Sequence, residues 1–455
     1  MTEVPPIFRP PRDEDFLDAA VAAARFIDSR KITGEHGVYW SLDDARSTKP
    51  DYYDDLSFYS GSAGIAHFLL ELAAATGQDA YLDDAVAAAH YMQWRWENRR
   101  PLVRNFSPWA FTTGYSGVAH TLLEVFRVTG EEGLVRTIHE IVEAAIDDAQ
   151  QVGEGYGWST YHGIVGDAGT ILTILEMAEA FEVARWRDFA VQATRAYFGR
   201  SRRDRLGNLV YNGVDPAYFG AQDDYIDPNF PMGAAGISFL LLRVYEVSGD
   251  QRFRDAALGV PAFLQDIAIT TPDGAAALTP HGIPDRGDLY YLGYCHGPVG
   301  TARLFHQLHT MTGEPVYRDW EYRFAAGISA AGAPERHSDG YWNTHNLCCG
   351  TAGFVTLYLG IWAAYGDRDY LGEAENAGRH LLHWQRDERW YIALDRVTPE
   401  KVSSPIGMYD GAAGIGWVLL QLYLAKTDQF SVQRTIDDPY PSTALTRSAR
   451  TDQPE

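Results

Sequence analysis

The sequence predicts an all-α fold, an α/α toroid (barrel) of about seven helical hairpins arranged as an inner and an outer helix ring. Three observations carry that prediction. A Gly-x-x-Gly turn followed by a strongly apolar run recurs seven times, with first glycines at 61, 114, 163, 233, 297, 350 and 411. The steps between copies are 53, 49, 70, 64, 53 and 61 residues, the length of two helices and their connections rather than of a propeller blade or short solenoid repeat. Each apolar run is followed by an amphipathic stretch with apolar residues three and four apart, such as Tyr81–Tyr91 and Tyr370–Leu382.

Within each unit the apolar run opens with small residues and is rich in Leu and Ala, as in Ile65-Ala66-His67-Phe68-Leu69-Leu70 and Ile415-Gly416-Trp417-Val418-Leu419-Leu420. Apolar on all sides, such a helix belongs inside. Gly77, Gly130, Gly249, Gly313 and Gly366 follow the runs, where glycine stops a helix in the left-handed conformation. The wider third and fourth steps imply insertions, for example around Ser201 to Asp227. An open α-solenoid would share this periodicity, so ring closure is an expectation that rests on the need to wall a pocket. Residues 14–432 form the predicted single domain. Residues 1–13 are proline-rich and expected to be flexible, and 433–455 read as a polar tail, disordered over its last dozen positions.

The formal net charge of −23 argues against nucleic-acid and anionic-membrane binding, which need clustered Lys and Arg. No apolar stretch approaches the roughly 18 residues of a membrane span. Met1-Thr2-Glu3-Val4-Pro5-Pro6 is not a basic-then-apolar leader, so a cytoplasmic location is expected. In a reducing compartment three cysteines form no disulfide framework and are better read as a metal site.

All three occur in two turns, Tyr294-Cys295-His296-Gly297 and Leu347-Cys348-Cys349-Gly350. The two residues before each first glycine project toward the cavity of the ring. In order they are Tyr59-Ser60, Thr112-Thr113, Tyr161-His162, Pro231-Met232, Cys295-His296, Cys348-Cys349 and Tyr409-Asp410. Cys295, Cys348 and Cys349 could be three small buried hydrophobes. Their confinement to registered turns favours one Zn2+ per chain, with a fourth position open as in catalytic zinc sites. His296 reads as a fourth ligand, a proton-transfer group or a packed side chain. His162 and Asp410 are further acid/base candidates, although Asp before Gly is also ordinary turn chemistry. Tyr294, Tyr161 and Tyr409, beside these groups, are candidate substrate-binding side chains. His67 and His120 read as capping or packing residues near their helix starts.

These motifs resemble the LanC-like lanthionine synthetase cyclases. The repeated Gly-x-x-Gly turns, the Cys-His-Gly-x-x-Gly segment at Cys295 and the Cys-x-Gly-x-x-Gly segment at Cys348 form that family's signature, and the likeness runs from about Tyr53 to Leu424. The resemblance implies an α/α toroid holding one zinc by Cys295, Cys348 and Cys349, the last standing where most members have histidine. It implies a zinc-bound substrate cysteine that adds to dehydroalanine or dehydrobutyrine in the same peptide, closing a thioether ring. Two positions depart from the family. Met232 stands where the family's proton-handling histidine belongs, and Tyr291 stands where some bacterial members carry arginine. His296 matches a family position that is tyrosine or histidine. The relocated acid is then expected at His162 or His296.

A dehydrated precursor peptide is the expected substrate, with a dehydratase or kinase-lyase partner to supply it. Alternatives are addition of a small thiol such as glutathione to dehydroamino acids, and a non-catalytic zinc-containing peptide-binding module. Toroids also host glycosidases, but these need two carboxylates flanking a cleft, and the registered turns offer only Asp410.

Overall fold

Helix α1 (Asp13–Asp28) is followed by seven inner helices: α2 (Ser62–Thr76), α4 (Tyr115–Thr129), α6 (Asp167–Ala180), α8 (Ala234–Ser248), α11 (Pro298–Thr312), α13 (Thr351–Tyr365) and α15 (Ala412–Lys426). Between them in sequence run the outer elements α3 (Asp79–Glu97), α5 (Glu132–Asp147), α7 (Ala184–Thr194), the pair α9 (Gln251–Ala257) and α10 (Val260–Ile267), α12 (Pro315–Ala330) and α14 (Arg368–Trp384). The structure, a computed structural model, describes residues 12–42, 55–98, 107–215, 225–284, 289–337, 339–393 and 396–442.

Each inner helix packs on the next, and α15 returns onto α2, so the ring is closed and the fold is the predicted α/α toroid. The seventh hairpin is completed from the other end of the chain, because α1 lies along α15 as its outer partner. Asp13, the end of the segment expected to be flexible, already belongs to that helix; residues 1–11 lie outside the described residues. The five predicted stop glycines adopt φ between 66° and 72°, a left-handed conformation that favours glycine. Short two-stranded ladders decorate the connections, including one in the insertion after α7, whose residues 216–224 lie outside those described.

The second glycine of each turn lets neighbouring turns close up. Besides the carbonyl oxygen of its own turn, a Cβ at Gly64 would meet Met408 Cβ of the seventh turn at 2.5 Å, and one at Gly117 would meet Phe58 Cβ of the first turn at 2.8 Å. Turn is then hydrogen-bonded to turn through the backbone. Cys295 N–H donates to the Cys348 carbonyl at 3.1 Å, Cys348 to Tyr409 at 2.8 Å, Tyr409 to Tyr59 at 2.9 Å, and Tyr59 to Thr112 at 2.8 Å. Val165 donates to Pro231 across the third and fourth turns at 3.0 Å. Pro231 has no N–H to continue the chain of bonds to Cys295.

That pattern corrects one register. The third inner helix starts after Gly166, not Gly163, so Val165 occupies the place of Cys295, Cys348 and Tyr409. His162 stands three residues further back and is not the counterpart of His296.

The predicted tail is not all loose. Gln433, Asp437 and Tyr440 are buried. The Gln433 N–H donates to Glu71 at 2.7 Å, Asp437 pairs with Arg303 at 2.9 Å, and the Tyr440 hydroxyl donates to Glu321 at 2.9 Å. The segment therefore closes the ring's interior beneath the turns, and its polar residues pair there because the lumen is lined with acids and arginine. The last positions, 443–455, lie outside the described residues.

Candidate metal centre

The two cysteine turns are brought together in part by a parallel pairing of Tyr290–Tyr291 with Tyr341–Trp342. Gly293 permits the approach, since a Cβ there would lie 2.6 Å from the Cys348 carbonyl oxygen. The Asn346 side chain fixes the sixth turn by accepting the Cys349 N–H at 2.8 Å and the Thr344 hydroxyl at 3.0 Å. The result is a cluster of sulfurs: Cys295 Sγ lies 3.3 Å from Cys349 Sγ, which lies 3.5 Å from Cys348 Sγ. All three ligand atoms are within 4.8 Å of one another.

These separations are far from the roughly 2 Å of a disulfide. They approach the roughly 3.8 Å between sulfurs bound at about 2.3 Å around a tetrahedral zinc. Cys348 is buried, whereas Cys295 and Cys349 are only partly covered, so one side of the cluster is open. Hydrogen bonds from Cys295 and Cys349, and a weaker one from the Tyr59 hydroxyl, hold the Cys348 thiol below the ordinary range. Cys295 is pushed up, because its hydrogen bonds to the two other sulfurs keep its proton in place. Three soft sulfur donors with one open side are a set that a cation with three soft ligands and a free position fits.

His296 sits beside this cluster with its side chain 17% exposed and its Nε2 3.5 Å from Asp227 Oδ2. Burial alone would raise the Asp227 carboxyl. The hydrogen bond and charge of His296, with the Asn229 N–H, outweigh burial and hold it below the usual carboxylate range. The His281 ring stacks on His296 at 4.1 Å and the Tyr291 ring meets it edge-on at 5.4 Å. His296 Nδ1 is buried without a hydrogen-bond partner. The Tyr291 hydroxyl is pushed up to about 12 by burial and by the charges of Cys295 and Cys349, and the Arg396 side chain hydrogen-bonds it.

The other candidates lie elsewhere. His162 Nδ1 is 3.1 Å from the Asn212 carbonyl in the inserted hairpin, and burial, then Arg200, lowers its pKa to about 4. Tyr161 is buried and bridges to Val214. The Tyr294 hydroxyl donates to Asp437 at 2.5 Å, beneath the turn, with Arg303 over its ring at 4.7 Å. Tyr409 is buried and stacks on Tyr59 at 5.4 Å. Asp410 accepts a short hydrogen bond from Ser60, which ties the seventh turn to the first. These placements give Tyr294, Tyr409 and Asp410 contacts that support the cysteine turns from behind and beside.

Sequence reasoning passed over Asp227, His281, Tyr59 and Arg396. For Asp227 a signal existed: it lies six residues before Gly233, as Tyr291 and Thr344 lie six before Gly297 and Gly350.

Fold and site together define an α/α toroid with a three-cysteine cluster at the rim of its turns. Residues 232–433 match the family model for Lanthionine synthetase C-like protein, so this chain carries a LanC-like region over that span. Among solved structures the chain is similar to nisin cyclase at 12% identity, over 83% of this chain and 91% of that one, with a TM-score of 0.60. It is also similar to the Lin0763 protein from Listeria innocua (13% identity, 92% and 99% covered, TM-score 0.45) and to an unsaturated glucuronyl hydrolase specific for heparin (10%, 92% and 99%, 0.46). At such identity the likeness to nisin cyclase establishes the shared fold. No curated protein matches the chain.

Proposed function

We propose that this chain is a zinc-dependent thiol-addition enzyme that forms thioethers on a peptide containing dehydroalanine or dehydrobutyrine. The observation that carries the reading is the convergence of Cys295, Cys348 and Cys349 within 4.8 Å at the open rim of a toroid with a LanC-like region. A zinc ion held by these three thiolates would take the substrate cysteine sulfur at its open position and present it as thiolate at neutral pH.

The chain's own residues supply the rest. His296 is held toward Asp227 through Nε2 with its side chain 17% exposed, and this imidazole is the group that exchanges a proton with bound peptide. As the C–S bond forms, the electron pair of the C=C bond moves toward the α-carbon and carbonyl, and His296 returns one proton to the α-carbon. The thiol proton leaves to solvent and His296 is reprotonated from solvent, so the proton lost at sulfur is matched by the one gained at the α-carbon and the peptide's mass is unchanged. Asp227 orients the ring through Nε2, and the rings of His281 and Tyr291 fix the plane of His296. The dehydroamino acids come from a dehydrating enzyme acting on the same peptide.

The test is to incubate the zinc-loaded chain with a dehydrated, cysteine-containing peptide and follow free thiol by alkylation and mass spectrometry. Thiols disappear at constant mass with the parent protein and persist with Cys349→Ala. Added glutathione distinguishes the small-thiol reading, which would give a glutathione adduct instead of a ring. Thiols that stay free for hours with every dehydrated peptide tried defeat the proposal.

A further inference from the structure

A second cluster lies deeper in the ring and plays no part in the chemistry above. His67 and His120 stand six residues past the helix-start glycines of the first and second turns, and Glu124 stands ten past the second. None of the three is more than 1% exposed. Both Glu124 oxygens lie 2.9 Å from His67 Nδ1, and His120 Nε2 lies 3.1 Å from Glu124 Oε1. The Phe58 and Phe111 rings roof the cluster, and Trp417 closes one side. These histidines are therefore not helix caps, and packing alone does not describe them.

We propose that His67, His120 and Glu124 form a second divalent-metal site, sealed beneath the rim, that ties inner helix α2 to α4.

Four observations support it. Two imidazole nitrogens and a carboxylate are ligands that zinc accepts, and donors bound at about 2.0–2.2 Å stand roughly 3 Å or slightly more apart, close to the spacing here. The other nitrogen of His120, Nδ1, lies 2.9 Å from Glu176, the outer carboxylate that metal-bound histidines usually engage. Carboxylates crowd the two imidazoles, since Glu124 engages both His67 and His120 and Glu176 engages His120 as well, and among the described residues no Lys or Arg ion-pairs with either acid. Finally, His67 Nε2 and Glu71 Oε2 are buried without hydrogen-bond partners, an imbalance that a dry interior does not favour without further positive charge. No thiolate is present, so the set suits an ion with mixed N and O preference, Zn2+ foremost. Sealed from substrate, it would act on stability.

Metal content per chain tests the site. Purified parent protein should carry two equivalents of zinc, and Cys295→Ala/Cys348→Ala/Cys349→Ala should keep one, with a melting temperature that falls when a strong chelator removes it. Glu124→Gln should keep only the cysteine-held equivalent. Should that variant fail to fold, metal-free parent protein titrated with Co2+ serves instead. One equivalent then brings thiolate-to-metal charge-transfer bands, and a second adds ligand-field bands without them. A metal-free triple-cysteine variant, or a Co2+ titration that stops at one thiolate-bound ion, overturns the proposal. One ion in both parent and triple variant would leave this site standing and count against the cysteine centre.

Discussion

Turns five and six, and helices two and four, use the same repeat to opposite ends. In turns five and six the reactive groups sit one and two residues before the helix-start glycine, where Cys295, Cys349 and His296 remain partly open. In helices α2 and α4 they sit six and ten residues past it, where His67, His120 and Glu124 are sealed. The repeat thus builds two layers, a rim that a peptide can reach and a lumen that it cannot. A group at the rim can bind and turn over substrate. A group in the lumen can only hold helices together.

The sharpest way to break this contrast is at the rim. Cys349→Ala should abolish thiol consumption and reduce zinc by one equivalent, while urea unfolding moves little, because the side chain is partly exposed and its backbone bonds survive. A large fall in stability with thiol consumption retained would reverse the two layers. The complementary change is Glu124→Gln in the lumen. Removing one partner of a buried charged set costs about 3–5 kcal/mol, since His67 and His120 lose the carboxylate they share. Chemical denaturation at neutral pH measures it, and a cost near zero would mean the layer holds nothing together.

Smaller effects sharpen the rim's own division of labour. His296→Gln should slow thioether formation about 10²-fold or more, the usual contribution of a positioned proton donor. Asp227→Asn acts through His296 and should cost about 10–100-fold. It should also shift the pH profile of turnover and spare zinc content. Equal rates for both variants and parent would remove His296 from the chemistry.

Much of this was legible in the sequence, and the gaps have physical causes. Most turn glycines and all three cysteines stand out, so seven inner helices and a three-sulfur cluster can be read from the spacing. The third turn misleads because Gly163, Gly166 and Gly169 offer two overlapping Gly-x-x-Gly frames, and only the backbone pairing of Val165 with Pro231 chooses between them. Helix α1 completes the seventh hairpin across nearly the whole chain, which no local periodicity reveals. His281 reaches His296 from a connection, where no pattern fixes direction. The polar stretch from Gln433 reads as tail because its partners, Arg303, Glu71 and Glu321, are charges hidden inside an apolar ring.

The mildest prediction separates the layers by pH. Burial, then the charge of Arg200, lowers His162 to about 4, with Asp215 opposing; burial, then the charges of His380 and His337, lowers His345 to about 4. In the unfolded chain each titrates near 6.5. Both histidines are neutral in either state above that value, so they impose no cost there. As pH falls from about 6.5 to 4 only the unfolded chain takes up these protons. Stability should therefore decline by at most about 1.4 kcal/mol per pH unit for each, and the loss is complete once the folded groups titrate. Urea unfolding at several values between pH 7 and 4 measures the slope, and His162→Gln should flatten it without touching zinc content. An unaltered slope in that variant would mean His162 is solvated, which would return it to the open rim as an acid/base candidate.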